Sequence, residues 1–268
     1  MMRKSVLIGG AAGQGINKIS EIVSDVLSRH GYFVFNYRDY PSLIRGGHNF
    51  NILTISDKKV GSSDSKIDYL IALNEDTIKL HKKKLKKDGE IISFSDYQDQ
   101  GRNLNVILAS ALLKDLGVPE KIVRRTVIRE LKNEGAIKAV GIGYKESDPK
   151  NTLKPLKNKI QMMSGSQAVA QGAINSKLNL YIAYPMTPAT GVMHELASHQ
   201  DDNLMVFQGE NEIGCASMSL GASFAGAKTM TGTSGGGFDL MSESFSLQGI
   251  SEIPLTVYLA SRPGPGTG

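Results

Sequence analysis

The 268-residue chain has a single cysteine, Cys215, and no tryptophan. One cysteine excludes an intramolecular disulfide, and it also excludes an iron–sulfur cluster or a four-cysteine zinc site held by this chain alone. No apolar run reaches the roughly 18 residues that a membrane-spanning helix needs. Arg3 and Lys4 precede a short apolar stretch that ends in glycines, unlike a secretory signal. We therefore expect a soluble, cytoplasmic protein with no membrane contact, whose redox metal, if it uses one, is held by another chain.

Charge divides the sequence into two regions. Residues 1–160 carry 28 Lys and Arg against 18 Asp and Glu, a net charge of +10, whereas residues 161–268 carry 3 against 8, a net charge of −5. The segment 145–159 between them combines two prolines with several lysines and almost no apolar periodicity, which is typical of a linker. We predict a first domain over residues 1–150, a linker over 151–160 and a second domain over 161–268. We expect the second domain to be incomplete, because the chain stops just after a strand.

Hydrophobic spacing predicts alternating strands and helices in both regions. In the first region the predicted strands are Ser5–Ile8, Phe33–Phe35, Phe50–Ile55, Tyr69–Leu73 and Glu90–Phe94, and the predicted helices are Ile16–Leu27, a lysine-rich helix over Lys79–Lys87, Leu104–Leu116 and Pro119–Leu131. In the second region strands are predicted at Leu178–Ala183, Leu204–Phe207, Thr229–Thr231 and Leu255–Ala260, with a long small-residue helix from about Glu210 to Gly226. This alternation predicts an α/β fold with two domains and mostly parallel sheets, the first of them Rossmann-like.

Three features of the first region could carry function. The turn Gly9–Gly15 lies between a strand and a helix, but it departs from a dinucleotide fingerprint at Ala12 and from a P-loop at Ile16. It therefore favours tight packing over nucleotide binding. Arg45-Gly-Gly-His48 is either an anion-binding or inter-subunit loop or a simple glycine turn. Lys79–Lys87 has six lysines in nine residues without interleaved aromatics, so it indicates a solvated face and no nucleic-acid partner.

The second region offers a more informative set of residues. Thr187 lies between two prolines just after a strand, in a stiffened turn. Glu210 and Glu212 open a helix whose face consists of residues too small to pack an ordinary core, and such residues let a flat ring or another backbone come close. The run Thr231–Gly237 is rich in hydroxyls and glycines and is suited to an anion or a cofactor edge.

These segments together resemble an enzyme family. In the second region the matching motifs are Gly165–Gly172, Tyr184-Pro-Met-Thr-Pro188, Gly209-Glu-Asn-Glu212, Thr233-Ser-Gly235 and Arg262-Pro-Gly-Pro-Gly-Thr-Gly268, and they resemble the first domain of the alpha subunit of 2-oxoacid:ferredoxin oxidoreductases. In the first region Gly9–Gly15, Arg45-Gly-Gly47 and Asp68–Leu73 resemble the gamma domain of the same enzymes, here fused ahead of alpha. The resemblance implies a gamma domain followed by a pyrimidine-binding-type domain of a thiamine-diphosphate enzyme.

The resemblance also implies an activity, cofactors and partners. The expected reaction is CoA-dependent oxidative decarboxylation of a 2-oxoacid, with 2-oxoglutarate favoured, to acyl-CoA with electrons passed to ferredoxin. Thiamine diphosphate would be shared with a beta-type partner chain that binds its diphosphate, Mg²⁺ and a [4Fe-4S] cluster. The chain is thus expected to work in a hetero-oligomer and to be inactive alone.

By motif position the resemblance assigns roles to individual residues. Glu212 matches the catalytic carboxylate that hydrogen-bonds the aminopyrimidine ring, with Tyr184, Pro185, Thr233 and Ser234 at the cofactor. Thr187 and Arg262 match residues that bind the carboxylate end of the substrate. Two departures, Met186 where the family usually has Ile and Gly236 where it often has Pro, affect the detail of the pocket.

Two alternatives remain open from the sequence. One is a non-catalytic Rossmann-like binding or assembly module, for which the first region alone would suffice. The other is a sibling enzyme that acts on pyruvate, branched-chain or aryl 2-oxoacids. Composition does not separate these possibilities.

Overall fold

The computed structural model describes residues 2–40, 47–97, 101–145 and 149–261. The chain divides into two units, unit 1 (Met1–Met162) and unit 2 (Met163–Gly268). Each unit has its own sheet and its own buried apolar cluster. The predicted α/β class is confirmed in both units.

In the described part of unit 1, five strands form a mixed sheet in the order β2-β3-β1-β4-β5. The strands are β1 (Arg3–Ala11), β2 (Phe33–Asp39), β3 (His48–Ser56), β4 (Ile67–Ala72) and β5 (Leu85–Ser93). β4 runs parallel to β1 and β5, whereas β3 runs antiparallel to β1 and β2. Only eight residues separate β2 from β3, too few for the crossover that a parallel pair requires.

Helices in unit 1 bury an apolar stripe against this sheet. They are α1 (Ile16–Arg29), α2 (Glu75–His81), α3 (Leu104–Asp115), α4 (Glu120–Leu131) and α5 (Glu134–Lys145). On α1 the buried residues Ile16, Ile19, Val23 and Val26 recur at helical spacing, as the sequence predicts. Gly31 stops the helix in the left-handed conformation that a C-terminal glycine provides.

Unit 1 departs from the sequence predictions in three ways. Its sheet is mixed, with two antiparallel strand pairs, where a mostly parallel sheet is predicted. The structure continues after α4 with a further helix, α5, that the sequence analysis did not predict. The lysine-rich helix is also wrong, because α2 ends at His81, Lys82–Lys84 form a single 3₁₀ turn, and β5 already begins at Leu85. Lys86 pairs with Asp68 at 2.9 Å on the neighbouring strand, so Lys86 and Lys87 lie on the edge strand of the sheet.

The segment predicted as a linker has no helix or strand, but it is bound to unit 1 by hydrogen bonds. The Leu153 and Leu156 backbone N–H groups donate to the carbonyls of Leu116 at 2.8 Å and His30 at 2.9 Å. The Tyr32 hydroxyl donates to the Lys154 carbonyl at 2.8 Å. Residues 149–158 therefore form a packed strap, and unit 1 extends to Met162.

In the described part of unit 2, four strands form a fully parallel sheet in the order β7-β6-β8-β9. The strands are β6 (Leu180–Ala183), β7 (Met205–Gln208), β8 (Thr229–Thr233) and β9 (Thr256–Leu259), and the helices are α6 (Gly165–Asn175), α7 (Thr190–Ala197), α8 (Glu212–Phe224), α9 (Gly235–Leu240) and α10 (Ser242–Ser251). The chain passes from β6 to β7 on one side and then returns to β8 on the other. The carboxyl ends of β6 and β8 therefore flank a topological switch point, where open α/β sheets bind ligands.

Small residues on α8 allow that helix to approach the sheet closely. Its buried face consists of Glu212, Cys215, Ala216, Ser219, Leu220 and Ser223. Within the described residues, no helix of either unit is long and apolar enough to cross a membrane.

Candidate functional site

Three neighbouring strands of unit 2 bring the predicted site residues to one edge of the sheet. Tyr184 directly follows β6, Glu212 begins the helix after β7, and Ser234 directly follows β8. Arg262, the predicted substrate-binding arginine, lies outside the described residues. The structure therefore groups the predicted residues that it describes at the carboxyl ends of parallel strands.

Glu212 is a buried carboxylate at the first position of α8, with an exposed fraction of 7 %. The Asn211 side chain caps the helix by accepting a hydrogen bond from the Gly214 N–H at 2.8 Å. A helix N-terminus stabilises a nearby negative charge, but that effect does not require burial. Within the described residues, the Glu212 carboxylate has no hydrogen bond or ion pair. The residue is thus mostly covered, while its carboxylate oxygens are not fully enclosed and are free to meet a ligand.

Gly237, in the first turn of α9, brings the backbone against Glu212. The position of a Cβ atom on Gly237 lies 2.8 Å from Glu212 Cγ and 3.2 Å from Glu212 Oε1, and it overlaps Thr233 Oγ1. Only glycine fits there without displacing a neighbour. The motifs that predicted Glu212 and Thr233 gave no separate role to Gly237, although its place in a glycine run after a strand is a signal for close backbone approach.

Thr233 and Ser234 lie at the carboxyl end of β8, and both have an exposed fraction of 0 %. Ser234 is the N-cap residue of α9, but its side chain makes no capping bond. The Ser234 Oγ atom has no hydrogen-bond partner within the described residues. A buried hydroxyl normally has a hydrogen-bond partner. Ser234 therefore has an unused donor and acceptor, close in sequence to Gly237, which contacts Glu212.

The turn after β6 presents the other predicted residues. Tyr184 and Thr187 are exposed, and Pro185 is half-buried. The Met186 carbonyl accepts hydrogen bonds from the Thr190 hydroxyl at 2.7 Å and from the Thr190 N–H at 2.9 Å, which ties the turn to the start of α7. The Thr187 side chain is thus carried on a fixed turn and remains accessible.

Cys215 and Tyr181 lie beneath this edge and were not predicted as site residues. Cys215 Sγ packs directly against Gly209, and the Tyr181 hydroxyl packs directly against Gly232. Burial raises the pKa of both groups, so both are neutral near pH 7. Cys215 is three residues after Glu212 on the same helix face, and this spacing is the sequence signal that could have indicated its place.

The chemistry of this edge suits a flat heterocycle. A buried carboxyl group can exchange a proton or a hydrogen bond with a ring nitrogen, and Ser234 provides a second polar contact. Within the described residues, no cluster of three or more His, Cys, Asp and Glu side chains could hold a metal ion. The Glu212 carboxyl group and the Ser234 hydroxyl fit the hydrogen-bonding edge of a pyrimidine ring such as that of thiamine diphosphate.

In the glycine-rich turn of unit 1, backbone N–H groups that could bind a phosphate already donate hydrogen bonds within the protein. The Ala11 N–H donates to Gln14 Oε1 at 2.7 Å, and the Ala12 N–H donates to the Gly47 carbonyl at 3.2 Å. The Gln14 N–H donates to the Ala11 carbonyl at 3.1 Å. These backbone donors are not available to phosphate, so the geometry supports tight packing at this turn. Arg45 of the neighbouring motif lies outside the described residues.

The fold and the site together define a chain of two α/β units whose second unit carries a buried carboxylate at the switch point of a parallel sheet. This is the arrangement of an α/β cofactor-binding protein. Comparison with known families makes the class specific. The model of the pyruvate ferredoxin/flavodoxin oxidoreductase family matches residues 5–145. A second model, described as pyruvate flavodoxin/ferredoxin oxidoreductase, thiamine diP-binding, matches residues 171–268.

The chain belongs to the pyruvate ferredoxin/flavodoxin oxidoreductase family, which confirms the resemblance that the motifs indicate. It is 26% identical to the 2-oxoacid:ferredoxin oxidoreductase subunit alpha of a Sulfolobus species over 350 aligned residues, covering 100% of this chain and 55% of the relative. It is 37% identical to the 2-oxoglutarate oxidoreductase subunit KorA of Mycobacterium tuberculosis, covering 56% of this chain and 25% of the relative.

A solved structure is similar over the whole chain. The 2-oxoglutarate:ferredoxin oxidoreductase from Magnetococcus marinus, with 2-oxoglutarate, coenzyme A and succinyl-CoA bound, superposes with a TM-score of 0.80 at 25% identity, covering 100% of this chain and 54% of that one. The chain thus spans about half the length of the full-length alpha subunits and of the solved enzyme that it matches.

Proposed function

We propose that the chain is the gamma-alpha portion of a 2-oxoacid:ferredoxin oxidoreductase that converts a 2-oxoacid and CoA to acyl-CoA and passes the electrons to ferredoxin. The observation that carries this proposal is Glu212, a mostly buried residue at the switch point of unit 2 whose carboxylate has no partner within the described residues. The segment that holds it matches the thiamine-binding family model, which supports a cofactor at this edge. 2-Oxoglutarate is the favoured substrate, since several relatives are named for it and the similar solved structure contains it.

The residues of unit 2 have different proposed roles at the cofactor. Thiamine diphosphate, when bound, supplies the electron sink for loss of carbon dioxide from a 2-oxoacid. With the cofactor bound, Glu212 would hydrogen-bond a nitrogen of the pyrimidine ring and exchange a proton with it. Thr233 and Ser234 line the floor beside it, and Tyr184 and Pro185 form the neighbouring turn.

Two residues are assigned to the substrate. Thr187 presents its hydroxyl from the fixed turn after β6, and Arg262 supplies a planar guanidinium that suits a carboxylate through two parallel hydrogen bonds. Both orient the substrate and neither moves a proton. Selectivity among 2-oxoglutarate, pyruvate, branched-chain and aryl 2-oxoacids depends on this end of the pocket.

We assign the remaining groups to a beta-type partner. A single cysteine does not suffice for a [4Fe-4S] cluster, so the cluster, Mg²⁺ and the diphosphate site are proposed for the other subunit of a cytoplasmic hetero-oligomer. Ferredoxin and CoA complete the reaction as acceptor and co-substrate.

The first prediction tests Glu212 in the full enzyme purified with its beta-type partner. Glu212→Gln should lower CoA-dependent viologen reduction by 2-oxoglutarate by about 100-fold or more, because the amide cannot exchange the proton. Glu210→Gln, at the exposed acidic residue two positions earlier, is the matched control and should keep the parent rate. Full activity in Glu212→Gln would contradict the catalytic assignment.

A panel of pyruvate, branched-chain and aryl 2-oxoacids on the parent enzyme measures the substrate preference.

A further inference from the structure

Gly237 lies where the backbone of α9 comes closest to the Glu212 side chain. A Cβ atom at this position would stand 2.8 Å from Glu212 Cγ and 3.2 Å from Glu212 Oε1, and it would overlap Thr233 Oγ1. Cβ atoms essentially never approach non-bonded heavy atoms of other residues more closely than 3.0 Å. Any residue other than glycine must therefore displace Thr233, Glu212 or both.

Glu212 is the neighbour that can move. Thr233 is β-branched, lies on a strand with neighbours on both sides and has an exposed fraction of 0 %, so its side chain has few alternatives. Glu212 has more rotatable bonds and, within the described residues, no hydrogen bond that holds its carboxylate. A methyl group on residue 237 would thus shift the carboxylate away from its present place.

The choice of glycine is unfavourable for the helix itself. Among ordinary residues only proline is a poorer helix former, yet α9 begins with three glycines. Gly249 on α10 differs, because nothing lies within 4 Å of its Cβ position. The close contact, rather than the helix, requires glycine at 237.

We infer that Gly237 is a positioning residue, whose missing side chain sets the place of the Glu212 carboxylate. The inference rests on the proposed function, in which that carboxylate contacts the pyrimidine ring. It predicts that the two residues act as one unit, so that the effect of changing Gly237 depends on the presence of Glu212.

Gly237→Ala is tested in the full enzyme with its beta-type partner, with Gly249→Ala as the matched control. The expected result for Gly237→Ala is a fall in kcat of about 100-fold with an unchanged KM for 2-oxoglutarate, because a misplaced catalytic group costs rate rather than substrate binding. Calorimetry should also show a weaker affinity for thiamine diphosphate. Gly249→Ala should match the parent in all three measurements. A parent-like kcat in Gly237→Ala would overturn the inference.

A second pair of variants separates positioning from a general structural effect. In a Glu212→Ala background, Gly237→Ala should cause a smaller loss of thiamine diphosphate affinity than in the parent, because only its contact with Thr233 remains. An equal, additive loss in both backgrounds would overturn the positioning role. If Gly237→Ala alone does not fold, recovery of folded enzyme in the double variant supports the inference, and continued misfolding contradicts it.

The failure of this inference can be distinguished from failure of the proposed function. A parent-like rate in Glu212→Gln overturns the proposed function whatever Gly237 does. A parent-like rate in Gly237→Ala beside an inactive Glu212→Gln overturns only the positioning role.

Discussion

Both units place a glycine-rich turn at the carboxyl end of a strand, but the two turns treat their polar groups differently. In unit 1 the turn after β1 is closed, because Gln14 Oε1 accepts the Ala11 N–H at 2.7 Å and the Gly47 carbonyl accepts the Ala12 N–H at 3.2 Å. In unit 2 the turn after β8 leaves the Ser234 hydroxyl without a partner within the described residues. The same composition therefore serves tight packing in one unit and leaves a buried hydroxyl unpaired in the other.

The difference shows what glycine contributes in each place. At Gly15 a positive φ of 74° allows the chain to enter α1, and Asn105 packs against it. At Gly237 the φ angle is ordinary, and the missing side chain makes room for Glu212. A glycine run in the sequence does not separate these uses, since one depends on backbone conformation and the other on a residue 25 positions away.

The largest expected effect concerns two buried histidines of unit 1, which differ from the fully hydrogen-bonded turn after β1. His48 Nε2 and His81 Nε2 lie 2.8 Å apart, and the Nδ1 atom of each ring is buried with no hydrogen-bond partner among the described residues. Burial, followed by the charges of His48 and Lys84, lowers the pKa of His81 from 6.5 to about 4. Between pH 6.5 and 4, His81 therefore binds a proton in the unfolded chain but not in the folded chain. Stability is fully present above pH 6.5 and is lost as the pH falls, by on the order of 2 kcal/mol.

Urea unfolding at pH 7 and pH 4.5 measures this effect. His81→Phe should lose less stability than the parent between the two pH values, because the titrating ring is gone and Phe50 offers an aromatic neighbour. His199→Gln, at an exposed histidine, is the control for general acid effects and should behave as the parent. An unchanged pH dependence in His81→Phe would show that the ring is not held neutral.

The next effect tests whether the turn of unit 1 is closed. Gln14→Ala removes the acceptor of the Ala11 N–H and should cost about 1 to 2 kcal/mol of unfolding free energy. Gln14→Glu keeps an acceptor oxygen at the same reach and should lose less. Titration of both variants with ADP and NADH should show no binding. Nucleotide binding by Gln14→Ala would mean that the glutamine covers a real phosphate site, and the contrast between the units would disappear.

Sequence patterns predicted the elements that bury a regular apolar stripe and missed those that do not. The helix α1 was predicted because its apolar residues recur at helical spacing. The helix α5 was missed because Gly141 and Gly143 indicate a break. In the structure Gly143 lets α5 approach α3, since its Cβ position lies 2.5 Å from the Ile107 carbonyl oxygen. The strap after α5 was predicted as a linker because only Leu153 and Leu156 pack against the apolar core, and backbone hydrogen bonds make the other main contacts, so no apolar periodicity results.

The candidate site also contains features that the sequence predicted and features that it missed. The family motif pointed to Glu212, and the parallel order of β7, β6 and β8 explains why Glu212, Tyr184 and Ser234 share one edge. The contact between Glu212 and Gly237 could not be predicted, because it depends on how closely α9 turns back after β8. Motifs point to candidate ligand-binding residues, whereas the backbone path decides which other residues pack against them.

The smallest expected effect asks whether unpartnered hydroxyls of unit 2 belong to the site or are only tolerated. Thr231 lies on β8, two residues before Thr233, with an exposed fraction of 0 % and no partner for its Oγ1 atom within the described residues. Thr231→Val keeps the shape and removes a buried hydroxyl, so it should stabilise the chain by up to about 1 kcal/mol. Ser219→Ala is the matched change on α8, where the hydroxyl donates to the Cys215 carbonyl at 2.8 Å, and it should be neutral or destabilising. Urea unfolding measures both. A loss of stability in Thr231→Val would show that this hydroxyl has a bound partner. The contrast between the two units would then be limited to Ser234 at the proposed cofactor edge.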